Sequence, residues 1–212
     1  KGFDLPELIT KQHVVTARNP HPDYLFSLPA SGLDEQRKER ARTCSERCEQ
    51  AADIANNTPD PVVSWCNLNR EGDMLKKLIP DAVQVSGTDS DERKEEVFEA
   101  FADGSIRVLV TKPKIAGMGL NWQHCNRQIY FPSHSFEQWY QSIRRCWRFG
   151  QKRPVTVDMI TSEGEANILS NLHRKATAAD AMFSSLVSLM NNELIIQQKE
   201  HVTTPTTLPQ WL

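Results

Sequence analysis

IRVLVTKPKIAGMGLNW, residues 106–122, decides the fold class. Its first six positions are nearly all apolar and rich in β-branched residues, without the in-and-out alternation of a strand that has one wet face. A strand of that kind is covered on both sides, as in a parallel sheet between layers of helix. The run stops at Lys112-Pro113, and Gly117 and Gly119 follow in a short turn. Outward from this stretch the same unit repeats. VVSW at 62–65 precedes a helical segment from Asn69 to Leu78, and Ala82 to Val85 precedes one from Asp89 to Ala102. Downstream, Arg127 to Phe131 leads into a helix near Ser135, and Val155 to Ile160 forms the last short run. Alternation of strand and helix predicts an α/β fold with helices on both faces of a parallel sheet.

The flanks are less regular. One short strand is expected over Gln12 to Ala17, then a Pro-rich linker through Pro20, Pro22 and Pro29, then a long charged helix from Leu33 to Asn57. The predicted organisation is an N-terminal extension over 1–59, the α/β domain over 60–161, one or two helices over 162–200 and a flexible tail over 201–212. The first residue is Lys1, so the chain is expected to be a piece of a longer polypeptide. No run approaches the roughly 18 to 20 apolar residues of a membrane span, and KGFDLPELITKQ lacks a signal-peptide core. A soluble protein of a cytoplasm with no membrane partner is expected.

Five cysteines leave one over and read as reduced thiols. Neither Cys44 with Cys48 nor His124 with Cys125 has the paired spacing of a structural zinc site, so no metal ligands are assigned. The net charge of −2 conceals an asymmetry: Arg107 to Arg153 holds nine Lys or Arg against one acid, Glu137. A local basic stretch in an acidic chain points to phosphate, in a nucleotide or a nucleic-acid backbone.

Within that stretch Ser135 and Gln138 form a capping-box pair. Phe136, Tyr140, Ile143 and Trp147 then recur at helical spacing and predict a buried stripe. Gln141, Arg145 and Arg148 fall one position behind it, which would place them together at the edge of the buried face. A half-shielded guanidinium there would hold an anion firmly.

In open parallel sheets ligands bind beyond the carboxyl ends of the strands. The segments at those ends are Cys66-Asn67-Leu68-Asn69, Ser86-Gly87-Thr88 and Thr111 to Asn121, each small, polar or glycine-bearing. In order and spacing, VVSWCNLNREGDML (62–75), VSGTDSDERKEEVFEAF (85–101), VLVTKPKIAGMGLNW (108–122) and YQSIRRCWRFGQ (140–151) resemble the second RecA-like lobe of superfamily 2 helicases. The first block resembles motif IV, the third motif V and the fourth motif VI. The likeness is greatest to the Swi/Snf-like DNA translocases and their compact phage and bacterial relatives, and implies the cytoplasm of a bacterial or phage-infected cell.

The resemblance implies a catalytic role for Arg145, Arg148 and Gln141, with both arginines reaching the γ-phosphate of ATP held with Mg²⁺ on an N-terminal lobe of the same polypeptide. It places Gly117, Gly119 and Asn121 near the nucleotide, and Asn67, Ser86, Gly87, Thr111 and Lys112 on a sequence-independent track for duplex DNA. The glycines also fit a tight turn, and the polar loop residues an ordinary one. Trp122, Trp139 and Trp147 invite a base-stacking reading, although aromatic residues more often build core.

Two departures stand out. Arg144 and Trp147 occupy positions where the remodeller pattern has an acid and a histidine, and Lys114-Ile115-Ala116 is bulkier than motif V usually allows. A nucleosome-specific reading therefore gains no support. There is also no GxxxxGK[ST] loop and no DExx strand end, which predicts that this chain alone does not hydrolyse ATP. The alternative is a stand-alone nucleic-acid-binding or regulatory module that keeps the fold without the enzyme. A nucleotide-sugar transferase lobe shares the architecture but leaves Gln141, Arg145 and Arg148 unexplained.

Overall fold

Six strands, every neighbouring pair parallel, form one sheet in the order β1-β6-β5-β2-β4-β3 in the computed structural model. The strands are β1 Leu8–Val15, β2 Val62–Trp65, β3 Ala82–Gln84, β4 Val108–Thr111, β5 Arg127–Tyr130 and β6 Val155–Ser162. The helices are α1 Leu33–Arg42, α2 Cys44–Asn56, α3 Asn69–Leu78, α4 Asp91–Ala102 and α5 Phe136–Ile143. Described residues are 5–18, 33–116 and 120–165, with 168, 170–172, 174–179, 181, 182 and 185. The Pro-rich linker and the 201–212 tail lie outside them.

The apolar runs are central because both of their faces are covered. Val63, Trp65, Leu109, Tyr130, Val157 and Met159 face α4 and α5, where Val97, Phe101 and Ile143 meet them. Trp122 sits fully buried on this side, 5.8 Å from the Trp65 ring, 5.8 Å from Phe98 and 5.2 Å from Phe101. It is core, as the alternative to stacking required. On the other face Val62, Val108, Val110, Ile129 and Ile160 pack on Cys48, Ala51 and Ala55 of α2 and Leu75 of α3. Each large side chain buried this way contributes about 1.5 to 3 kcal/mol.

The N-terminal region differs from its expectation. β1 spans Leu8–Val15 and pairs residue for residue with Val155–Ser162, while α2 covers one sheet face. Residues assigned to an extension therefore complete the sheet and its cover, and the compact unit runs to Leu172, with His173 onward forming a second. Within the second unit residues 174–179 are helical. The single charged helix expected over 33–57 is two. Its break is at Thr43, whose hydroxyl bonds back to the Glu39 carbonyl at 2.8 Å, while Arg47 donates to the Arg40 carbonyl at 2.7 Å. Side chains that satisfy backbone groups let the chain leave the helix at little cost.

All five cysteines are free and buried. Among the described residues no helix is long and apolar enough to cross a membrane.

Candidate functional site

Ser135 caps α5 as its sequence position predicts, its Oγ accepting the Gln138 N–H at 3.3 Å. The helix then ends at Ile143, earlier than the apolar period suggests. The N–H groups of Arg145 and Cys146 bond three residues back, to Ser142 and Ile143, and the Arg145 carbonyl accepts the Trp122 N–H at 2.9 Å. The chain is thus drawn into a tight turn toward the loop after β4. The predicted stripe shifts accordingly: Ser142, Ile143 and Cys146 are buried, whereas Tyr140 is 41% exposed and stacks on Phe136.

This turn rearranges the three residues expected on one helix face. Gln141 lies on the last turn of α5, is exposed and donates to Glu137 at 3.0 Å. Arg145 and Arg148 lie beyond the helix and come close together. Burial first, and then the nearby charge of Arg148, hold the Arg145 guanidinium below its ordinary value. Arg148 Nη1 reaches the Leu120 carbonyl at 3.5 Å, so the pair borders the segment leading to exposed Asn121. Gly117 and Gly119 lie outside the described residues.

Gly150 closes the turn at φ +92°, a left-handed conformation, and a Cβ there would lie 2.8 Å from Gln123 Nε2. Gln151 then ties the chain down, donating to the carbonyls of Gln123 at 2.7 Å and Cys125 at 3.1 Å. Gly150→Ala is expected to cost about 1 to 2 kcal/mol from the left-handed backbone alone. Thermal unfolding should then show a midpoint lowered by roughly 2 to 8 °C; an unchanged midpoint would mean that the turn relaxes freely.

Asn67, Ser86, Gly87, Thr111 and Lys112 follow or close neighbouring strands β2, β3 and β4, so the sheet gathers them along one edge. Their side chains do not all face outward. Asn67 donates its amide to the Phe131 carbonyl at 2.7 Å, joining the ends of β2 and β5. Thr111 is 0% exposed and its Oγ1 has no hydrogen-bond partner. Lys112 Nζ bonds Asn69 Oδ1 at 2.5 Å. Ser86 Oγ bonds Thr88 at 2.8 Å, and Gly87 is exposed with open space about its Cα. Gly87 is the exposed member of this edge, Ser86 and Lys112 are half-buried, and Thr111 is fully buried.

Six of the nine cations in the basic stretch fall into two groups. Arg107 pairs with Asp81 at 2.7 Å, Arg127 with Asp158 at 3.1 Å and Arg153 with Asp60 at 3.3 Å, all where the chain enters its strands. These three cations meet acids outside the stretch, a pairing that the linear charge count cannot see. Lys112, Arg145 and Arg148 belong to the candidate site.

One ionic centre has no sequence signal. Arg47, 1% exposed, pairs with Glu71 at 2.7 Å and lies 3.8 Å from Glu165, with Phe131 under its guanidinium. Glu71 accepts the N–H groups of Asn67 and Leu68 with its other oxygen. Arg40 bonds Glu165 at 2.8 Å and the Pro132 carbonyl at 2.7 Å. The cluster pins the loops after β2, β5 and β6. Arg47 is far in sequence from Glu71 and Glu165, so only the fold reveals it.

Residues 46–150 match the helicase conserved C-terminal domain. That stretch, 105 of the 212 residues, is similar to the C-terminal lobe of superfamily 2 helicases. A RAD54-like DNA repair and recombination protein of Drosophila mojavensis is 27% identical over 149 residues, 67% of this chain and 18% of that protein. The ATP-dependent RNA helicase eIF4A of Yarrowia lipolytica is 30% identical over 118 residues, covering 53% and 29% of the two chains. The helicase lobe thus spans less than a third of each of these relatives. Among solved structures, the C-terminal part of the Fun30 ATPase domain aligns with TM-score 0.52 at 15% identity, covering 68% of this chain and 47% of that one. A DEAD box protein from Methanococcus jannaschii aligns with TM-score 0.53 at 21% identity, covering 61% and 36%. Both carry the fold of the helicase lobe, a parallel RecA-like sheet with helices.

Proposed function

We propose that this lobe is the C-terminal half of an ATP-dependent DNA translocase or helicase of the Swi/Snf-like branch, in its compact phage or bacterial form, working in the cytoplasm. The observation that carries the reading is the placement of Arg145 and Arg148 on one turn tied to the segment after β4, where the Arg145 carbonyl takes the Trp122 N–H and Arg148 Nη1 reaches the Leu120 carbonyl. Paired guanidinium groups neutralise charge on a departing phosphoryl group, and an arginine finger is worth about 10³ to 10⁵ in rate. ATP and Mg²⁺ are then held mainly by an N-terminal lobe of the same polypeptide. Gly117, Gly119 and Asn121 are assigned to nucleotide binding by their sequence positions, and Gln141 completes the motif VI set. Similarity to a DNA repair and recombination protein favours DNA.

The purified 212-residue chain is expected to show no magnesium-dependent ATP hydrolysis above background, measured as released phosphate. Robust activity from it would overturn its reading as one half of an enzyme.

The edge carrying Asn67, Ser86, Gly87, Thr111 and Lys112 serves as the nucleic-acid track. Because the contacts are to phosphate, binding is sequence-independent and salt-sensitive: with about three phosphates neutralised, log K against log[salt] should slope near −2 to −3. Lys112→Ala is expected to weaken DNA-stimulated hydrolysis in the intact protein by roughly threefold to tenfold, as for the loss of one ordinary hydrogen bond at a solvated surface. Basal hydrolysis should stay nearly constant. A parallel fall in both rates would assign Lys112 to the nucleotide site or to the fold.

A further inference from the structure

Because α5 stops at Ile143, Arg145 and Arg148 do not inherit the rigidity of a helix. Something else must hold the turn that bears them. Its entry is fixed by the Arg145 carbonyl, which accepts from Trp122. Its middle is fixed by Trp147, which lies between the two arginines in sequence and uses both of its N–H groups. The backbone N–H bonds the Ile143 carbonyl at 2.8 Å, and the indole Nε1–H bonds the Pro6 carbonyl at 2.7 Å. Pro6 is itself well anchored, since the next carbonyl, that of Glu7, accepts the N–H of Val155 at the start of β6. The Trp147 ring packs against the sheet-face core. Arg144 lies 5.1 Å over that ring and 5.5 Å over Tyr140, so the third cation of the turn is stacked on aromatic faces.

We propose that Trp147 is the positioning residue of this turn: its indole N–H, held by Pro6, sets where the Arg145 and Arg148 guanidinium groups point. The inference rests on the reading of that turn as the ATP-facing site. Trp147 touches no nucleotide. It acts through the arginines, so its loss should reduce turnover and leave nucleotide affinity almost intact.

The test is a double-mutant cycle on steady-state ATP hydrolysis by the intact two-lobed protein. Trp147→Phe keeps a ring in the core and removes only the N–H donor. One lost hydrogen bond predicts a kcat lower by about threefold to tenfold, with KM for ATP within about twofold. Trp147→Ala should be more severe in the same direction. In an Arg145→Ala/Arg148→Ala background, where neither arginine is left to be positioned, Trp147→Phe should lower kcat by less than about twofold more, because residues that act as one unit are not additive. A full additional loss in that background, or an unchanged kcat for Trp147→Phe where Arg145→Ala is impaired, overturns the positioning role and leaves the ATP-facing reading standing. Normal turnover by Arg145→Ala overturns the ATP-facing reading and the inference with it.

Discussion

Alanine at Arg145 or at Arg148 is expected to lower ATP turnover by the intact protein about 10²-fold or more, equivalent to roughly 2.7 kcal/mol of transition-state stabilisation. KM for ATP should change much less, because the charge they meet is greatest as the phosphoryl group departs. Both sit on the one turn that meets the segment after β4 at Leu120 and Trp122, so each alone leaves an incomplete cradle. Arg144→Ala is the control. Its guanidinium lies over Tyr140 and Trp147, and its loss should cost only a small factor. Steady-state ATPase rates of the three variants decide the matter: equal losses in all three would mean general electrostatic attraction, not a specific geometry.

Arg47→Met is expected to be the most destabilising single change outside the apolar core. It leaves Glu71, 0% exposed, without its partner, and removes the donor to the Arg40 carbonyl. Breaking one side of a buried ion pair costs about 3 to 5 kcal/mol. For a unit of this size the unfolding midpoint should fall by roughly 6 to 20 °C. Glu71→Gln is expected to be milder, since its side-chain carbonyl can still accept one of the Asn67 and Leu68 N–H groups. Calorimetry or urea unfolding reads both variants. A loss for Arg47→Met below about 1 kcal/mol would show that water replaces the pair without penalty.

The likeness to solved helicase lobes shows the fold that the apolar runs predicted, and α3 appears over the predicted Asn69–Leu78. The Ser135 cap was equally legible, because a cap is a relation between residues three apart. The end of α5 was not. Periodicity through Trp147 describes a helix equally well, and what stops it is the Trp122 N–H, distant in sequence, taking the Arg145 carbonyl. The same limit applies to Asn67 and Thr111: sequence places them at strand ends, whereas packing against Phe131 and the sheet core decides which way they face.

Sequence by itself determined the α/β class, the parallel sheet and the positions of the loops that gather at one strand edge, because hydrophobic period, caps and turn residues act over a few positions. Only the tertiary structure decided that β1 and α2 belong to the lobe, that Arg107, Arg127 and Arg153 are neutralised by acids far along the chain, and that Arg47 ties Glu71 to Glu165. These contacts join residues 24 to 147 positions apart, from Arg47 with Glu71 to the β1–β6 pairs. No local rule encodes such partners. They follow from packing the sheet, which brings charged groups at the strand ends together: Arg47 and Glu71 pair where water is excluded, whereas Arg107 with Asp81 and Arg153 with Asp60 pair at the surface.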